Sequence, residues 1–338
     1  MRSCSTVAMQ RPEPCGADLA GVEAFALCGV DFSSAPSRRK PIRIAEGVLR
    51  GLSQSKTPAI SDGPGGLSRP GGCTLKGPED CNPRRPEIRP QLHWRALKAC
   101  ANWESFEHFL RLPGPRLAAF DLPFGLPRGL LRAWNWEDLD YRAISERFAH
   151  GDRAMWIAQL KAFCASRPEG SKFAHRACDL PVGSSPSMKW VNPPVVFMYR
   201  EGFSRILQAG WLLPGFDAIG MASASQQGAR LAVEAYPGAL ARALVGRASY
   251  KADDAKRQNG ERREIRGRII EGIEGLGPRF GLELSFDAAM RQALLDDARG
   301  DALDALLCLV IAARCALKGP PRWGAPEDCD PLEGWIAV

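Results

Sequence analysis

Residues Glu23 to Asp31 have the sequence EAFALCGVD, an apolar run that ends in an acid. A short, continuous apolar run is typical of a strand buried on both faces in the middle of an α/β sheet. Residues Arg116 to Asp121, RLAAFD, repeat the pattern. Ligands of open α/β sheets bind beyond the carboxyl ends of the strands. We therefore expect Asp31 and Asp121 at one functional rim of the sheet.

The patterns around these two strands predict a mixed α/β sheet. Further strands are expected at Ile42 to Leu49, within Ile88 to Leu97 and at Leu231 to Tyr236, with a short strand possible in residues 334–338. Strands followed by helices in this order favour a mixed sheet flanked by helices. The predicted helices are Asn102 to Leu110, Arg128 to Phe163, Pro194 to Gln208, a helix after Pro237-Gly238 that ends near Leu244, Lys256 to Ile273, Phe286 to Leu295 and Gly300 to Leu317.

The chain is predicted to form one domain over residues 23–338, after a disordered or mis-started segment at residues 1–22. Residues 51–90 are rich in Gly, Pro and Ser, which predicts a loop insertion. Residues 128–228 predict a mostly helical insertion that we expect to roof the site. Its Trp134 and Trp136 are interpreted as packing residues rather than as a platform for stacking bases.

The helix predicted from Gly300 is apolar almost all round, so we expect it to be buried. Asp301 and Asp304 lie three residues apart in its first turn, which places them on one helix face. The macrodipole favours negative charge there. Each acid also has a simpler interpretation, since Asp301 could be an N-cap and Asp31 could end its strand in a turn.

Asp31, Asp121, Asp301 and Asp304 together predict a metal centre. Carboxylates gathered on one rim repel each other unless a cation binds, and sites rich in oxygen suit Mg²⁺ or Mn²⁺. Two such ions can hold the attacking and leaving oxygens of a phosphodiester. Glu234, near the end of the strand at Leu231, is a further candidate catalytic acid. A role in supporting the metal ligands or in a salt bridge is an equal alternative to metal ligation for it.

The bulk composition places few limits on function. The 338 residues carry a formal net charge of +7, which suits an anionic partner without requiring one. The longest apolar run, residues 305–313, is too short to cross a bilayer, and no secretory signal is predicted. Eleven cysteines without a C-x-x-C pair fit a reducing compartment, so we expect a cytoplasmic protein.

Several segments resemble a family of unknown function that is predicted to contain ribonuclease-H-like nucleases. They are GVDFSSA from Gly29, AAFDLPFGLPR from Ala118, VEAYPGALARAL from Val233, GDALDALLCLVIAA from Gly300 and the closing EGWI from Glu333. The resemblance extends from Gly29 to the C-terminus. It implies a ribonuclease-H-like fold, with a five-stranded mixed sheet of order 3-2-1-4-5.

A wider similarity connects VEAYPGALARALVG and the D-x-x-D-A helix with RuvC-type Holliday junction resolvases. In those enzymes the acids of the first strand, the fourth strand and the D-x-x-D pair bind two metal ions. The similarity therefore implies Asp31, Asp121, Asp301 and Asp304 as ligands. The resolvases typically have Glu on the fourth strand, whereas this chain has the shorter Asp121.

Three basic residues are candidates for holding substrate phosphates, namely Arg176, Lys189 and Lys251. Lys251 also opens a basic run that continues along the helix predicted from Lys256. Such a run could follow a nucleic-acid backbone, but a solvated helix face is the commoner interpretation.

The sequence thus predicts a metal-dependent phosphodiester hydrolase, a nuclease acting on DNA or RNA. The alternatives are a non-catalytic nucleic-acid or nucleotide-binding module on the same fold and a small-molecule phosphohydrolase. A nuclease should have a continuous basic channel across the acidic rim. A small-molecule hydrolase should have a closed pocket under the helical insertion.

Overall fold

The computed structural model describes residues 25–51, 90–114, 116–217, 229–275 and 281–338. Predictions for the N-terminal segment and for nearly all of the 51–90 insertion lie outside the described residues. Within these ranges the strands are β1 Phe25–Asp31, β2 Ile42–Arg50, β3 Gln91–Cys100, β4 Arg116–Asp121, β5 Arg230–Glu234 and β6 Glu283–Ser285.

The strands form one mixed sheet of order β5-β4-β1-β2-β3-β6. The β1, β2 and β3 strands pair antiparallel, whereas β4 is parallel to β1 and β5 is parallel to β4. The predicted five-strand order is present, but a sixth strand extends it, because β6 pairs parallel with β3. At three residues, β6 is too short to show a pattern in the sequence. The architecture is consistent with a ribonuclease-H-like core.

Helices cover both faces of the sheet. The longest described helix, α11, spans 18 residues, and no helix in the described ranges is long and apolar enough to cross a membrane. The α-helices are α1 Trp103–Arg111, α2 Arg128–Ala133, α3 Tyr141–His150, α4 Arg153–Ala165, α5 Asp179–Val182, α6 Val195–Met198, α7 Ser204–Gln208, α8 Pro237–Val245, α9 Gly260–Gly275, α10 Ala288–Asp296 and α11 Asp301–Lys318.

Several predicted element boundaries differ from those in the structure. The helical stretch predicted from Arg128 to Phe163 is three helices, because Asp140 and Asp152 each cap a new helix with a side-chain oxygen. The predicted helix Pro194 to Gln208 is continuous through α6, a π-helical turn and α7. The predicted closing strand is reduced to two isolated bridges, one between Ala337 and Ala235 and one between Gly334 and Asp330.

Alternate strand residues divide the sheet into two faces with separate cores. Leu27, Leu117 and Leu231 pack with α8 to α11 on one face, which we call the helix face. Val30 and Phe120 point the other way, toward α1 and the helices of the insertion, and we call this the insertion face. The result is a three-layer arrangement with a sheet buried on both sides.

Gly29 allows α11 to cross β1 at close range. A Cβ atom at this position would lie 2.1 Å from both the Ala305 carbonyl oxygen and the Leu309 amide nitrogen. These are backbone atoms of a buried helix, so they cannot yield as a flexible side chain would. The close approach holds the first turn of α11 against the carboxyl end of β1.

Gly29→Ala is expected to reduce the free energy of unfolding by about 3 kcal/mol, the upper end of the usual range for overpacking. Gly267→Ala in α9 is the matched control. Its Cβ would meet only the Leu295 side chain, at an ordinary 3.7 Å, so better helix propensity should raise stability by up to about 1 kcal/mol. Urea denaturation measures both. Equal stability of Gly29→Ala and wild type would contradict the close approach.

Candidate metal centre

Asp31 and Asp121 are neighbours at the carboxyl ends of the two central parallel strands. They are paired residues in the β1–β4 register. Side chains an even number of residues apart on a strand lie on the same face of the sheet. Asp31 therefore shares a face with Leu27, and Asp121 shares a face with Leu117. Both carboxylates lie on the helix face. The apolar runs that end in an acid therefore place two carboxylates side by side.

The first turn of α11 adds Asp301 and Asp304, both buried, to this group. Asp301 is not the N-cap, because Gly300 holds that position with a φ of 74°. The Asp297 carboxylate accepts instead from the Ala302 amide, at 2.7 Å. The Asp301 carboxylate is thus not used in capping its own helix.

Asp304 has partners for both of its oxygens. Tyr250 donates its hydroxyl proton to one oxygen at 2.5 Å, and the Lys251 ammonium donates to the other. The Asp304 side chain is fully buried, whereas that of Lys251 is 45% exposed toward the cavity. Lys251, which the sequence suggested for substrate phosphates, is therefore bound to a predicted metal ligand.

The other three acids, Asp31, Asp121 and Asp301, line one cavity. Asp301 is buried and Asp31 and Asp121 are partly buried, and no side chain or amide within the described ranges donates a hydrogen bond to any of them. Their donor chemistry fits Mg²⁺ or Mn²⁺, which prefer carboxylate oxygens. As the side chains stand, no group of three or more His, Cys, Asp or Glu in the described part of the chain is close enough to hold an ion.

The carboxylates affect one another electrostatically. Burial and the charge of Asp304 raise the pKa of Asp31 well above its ordinary value, and the same two causes raise the pKa of Asp121 to about 7. Burial, followed by the charge of Asp297, also raises the pKa of Asp301. The ammonium groups of Lys251 and, at Asp301, Lys40 compensate this negative charge only in part. The cluster therefore favours uptake of protons or of another cation.

Burial lowers the pKa of Lys251, but the negative charges of Asp304 and Asp31 and the hydrogen bond to Asp304 outweigh it. The pKa of Lys251 consequently lies well above its ordinary value. Burial and Asp304 raise the pKa of the Tyr250 hydroxyl in turn. Lys251 remains a cation and Tyr250 a neutral hydrogen-bond donor at physiological pH.

Glu234 lies on the opposite face of the sheet from Asp31 and Asp121. Glu234 is the register partner of Phe120 in the neighbouring parallel strand, so its side chain lies on the insertion face, as that of Phe120 does. Both of its oxygens accept from the Arg176 guanidinium, at 2.5 and 2.7 Å, and one also accepts from the Phe124 amide. Of the two interpretations of Glu234, the geometry favours the salt bridge.

Arg176 is the centre of a buried ionic network. Its side chain is 1% exposed and also binds Asp179, at 2.8 Å, and the backbone carbonyl of Glu333, at 3.0 Å. The Glu333 carboxylate in turn accepts from the amides of Arg128 and Ala177. Arg176 borders the cavity, but its donors are directed to the protein. The network joins the insertion, β5 and the C-terminal segment.

The remaining predicted basic residues lie away from the carboxylates. Lys189 does not line the cavity, and its ammonium donates to the Asn192 carbonyl at 2.6 Å. In α9, Arg266 is buried against the carbonyls of Tyr250 and Leu295, and Arg263 pairs with Asp296. The basic helix is therefore partly internal rather than a fully solvated face.

The cavity beyond the strand ends has a volume of about 670 Å³. The insertion contributes one wall, from Ser184 and Ser185 and from residues 193–195. Two further basic residues that the sequence did not single out line the cavity, Lys40 and Arg299. Lys40 is half-exposed and pairs with Asp253 at 3.5 Å.

Fold and site define a three-layer α/β protein with carboxylates at the ends of its central parallel strands. A family model described as a protein of unknown function, DUF429, matches residues 91–327. The chain therefore belongs to this family. The match includes Asp121, Asp301 and Asp304 and begins after Asp31. No curated protein and no solved structure matched the chain.

Proposed function

We propose that this protein is a divalent-metal-dependent phosphodiester hydrolase, with nucleic acid as the substrate class. The observation that carries the proposal is the convergence of Asp31, Asp121 and Asp301 on one cavity without hydrogen-bond donors from the described chain. Their raised pKa values support it, because a site that resists its own negative charge favours a bound cation.

In this proposal Asp31, Asp121 and Asp301 hold Mg²⁺ or Mn²⁺. The ion would supply positive charge to the phosphate oxygens and lower the pKa of water. Lys40 and Arg299, at the cavity wall, attract and orient the anionic substrate. The apolar wall formed by Pro193, Pro194 and Val195 limits the access of bulk water to the reacting phosphate.

A small-molecule phosphohydrolase is the second candidate, and the cavity favours it. A volume of about 670 Å³ lies within the range of small-molecule sites, about 300–1,000 Å³. The insertion also contributes one wall of this cavity. The arginines of α9 that bind the protein itself do not supply a basic channel across the rim.

The test is a cleavage screen of the purified full chain. Single-stranded DNA, branched DNA, RNA, an RNA–DNA hybrid, nucleotides and a bis-aryl phosphodiester are each incubated with Mg²⁺, Mn²⁺ or a chelator. Metal-dependent cleavage of a polymer supports the nuclease, and cleavage of small esters alone supports the second candidate. If the folded protein binds metal but cleaves none of these substrates, the remaining candidate is a non-catalytic nucleic-acid or nucleotide-binding module.

Millimolar Mg²⁺ or Mn²⁺ is expected to raise the melting temperature by several degrees. A ligand of the native state at 100 times its Kd adds about 2.7 kcal/mol. The rise should be much smaller in Asp31→Asn. It should be the same as in wild type in the matched control Asp138→Asn, whose residue is exposed and does not line the cavity. Differential scanning fluorimetry at constant ionic strength measures it. A wild-type melting curve unaffected by either ion would contradict the site.

A further inference from the structure

The residues next to Asp304 form a segment that is fixed from several directions. Tyr250 and Lys251 precede Ala252, whose amide donates to the Ala298 carbonyl at 3.1 Å. The Gln258 side chain donates to the Ala252 carbonyl at 3.0 Å. The first contact attaches the segment to the loop that leads into α11, and the second attaches it to the residues that precede α9.

Two arginines of α9 hold the same segment by its carbonyl oxygens. Arg266 donates to the Tyr250 carbonyl at 2.8 Å, and Arg262 donates to the Lys251 carbonyl at 3.2 Å. Arg266 is buried and also binds the Leu295 carbonyl, which joins the segment to α10. These two arginines of the basic helix therefore position Lys251, and the donors that do so are not directed toward a ligand.

Lys251 acts within the carboxylate cluster as a whole. Its ammonium contacts Asp304 directly, and its charge also influences Asp31, Asp121 and Asp301. Asp301 is only 7% exposed, lines the cavity and has no donor in the described ranges. Four acids thus divide into one that a protein cation neutralises and three that remain for a ligand.

We propose that Lys251 is a built-in cation that takes the place of a second metal ion and limits the centre to one divalent ion. This inference rests on the proposed function. With both oxygens of Asp304 engaged, a second divalent ion would have to displace the ammonium or bind beside it against charge repulsion. Asp31, Asp121 and Asp301, which line the cavity, are then the acids that remain for a single ion, and their side chains would have to move closer together to bind it.

The assignment differs from the two-ion arrangement implied by the resolvase-like D-x-x-D pair. There, both acids of the pair are metal ligands. In this chain Asp304 instead has the hydroxyl of Tyr250 and the ammonium of Lys251 as partners. The two acids of the motif, three residues apart on one helix face, consequently have different roles.

Mn²⁺ titration of the full chain tests this, with calorimetry for stoichiometry and electron paramagnetic resonance for spin coupling between close ions. Wild type should bind one Mn²⁺ per chain, without coupling. Lys251→Met should bind two, with coupling, because Asp304 becomes available. Lys251→Gln is the second variant, in case loss of the hydrogen bond unfolds the first, and should also bind two.

Two control variants separate charge from general disturbance. Lys251→Arg retains the cation and should bind one ion. Lys40→Met removes a different cavity cation, half-exposed and paired with Asp253, and should also bind one. Two ions in wild type, or one ion in folded Lys251→Met and Lys251→Gln, would overturn the inference and leave the proposed function intact. No Mn²⁺ bound by wild type would overturn both.

Discussion

Arg176→Met is expected to reduce the free energy of unfolding by about 3–5 kcal/mol, the usual cost of removing one partner from a buried ion pair. The guanidinium is 1% exposed and is the shared partner of Asp179 and Glu234. Methionine replaces much of its volume but leaves two buried carboxylates without a cation. Because such charges cannot regain water without local unfolding, the loss is large.

Arg132→Met is the matched control for this substitution. Arg132 pairs with Glu137 at the surface and is 71% exposed. Pairs of this kind contribute about 0–1 kcal/mol, so its loss should be small. Urea denaturation of both variants measures the difference. An Arg176→Met midpoint close to that of Arg132→Met would show that the network does not stabilise the fold.

A double variant tests whether the cost arises from the unpaired charge. Adding Glu234→Gln to Arg176→Met removes one of the two stranded carboxylates. The double variant should lose less unfolding free energy than the two single variants lose together, since the two residues contact each other directly. Strict additivity would mean that the two side chains contribute independently.

The positions of Asp31 and Asp121 could be predicted because they depend on local patterns. Each ends a run that is apolar enough to be a buried strand, and parallel neighbours bring their carboxyl ends to one rim. Asp301 and Asp304 follow similarly from helical spacing. By contrast, the need for glycine at position 29, within the first run, could not be predicted, because it arises only from the close crossing of α11 over β1.

The face on which Glu234 lies could not be predicted. A strand side chain changes face when the register moves by one residue. The offset between β4 and β5, which pairs Phe120 with Glu234, is set by packing on both sides of the sheet and leaves no local pattern. The sequence therefore placed an acid near the rim but could not distinguish a ligand from a salt-bridge partner.

The roles of the basic residues were also beyond the sequence. Arg176 meets Glu234 across 58 positions and the Glu333 carbonyl across 157. Arg266 of the basic run is buried against carbonyls rather than exposed. A cluster of arginines indicates positive charge, but only the tertiary structure decides whether that charge serves a ligand or the protein's own backbone.

Asp31→Asn is expected to reduce the proposed phosphodiesterase activity by at least about 100-fold. Changes to residues that only support metal ligands already cost about 10–100-fold, so loss of a ligand should cost more. Asparagine keeps the size of the side chain but removes the charge that attracts the ion. Asp301→Asn should have a similar effect, because that carboxylate lines the same cavity without a protein donor.

The loss should appear in kcat at saturating substrate, because Lys40 and Arg299, which attract the substrate in this proposal, are unchanged. Asp138→Asn, an exposed acid in the insertion, is the matched control and should keep full activity. Each variant is checked for an unfolding transition close to that of wild type, so that loss of activity is not loss of fold. Cleavage that persists at the wild-type rate in both Asp31→Asn and Asp301→Asn would place the reaction at another site and end the case for this carboxylate cluster.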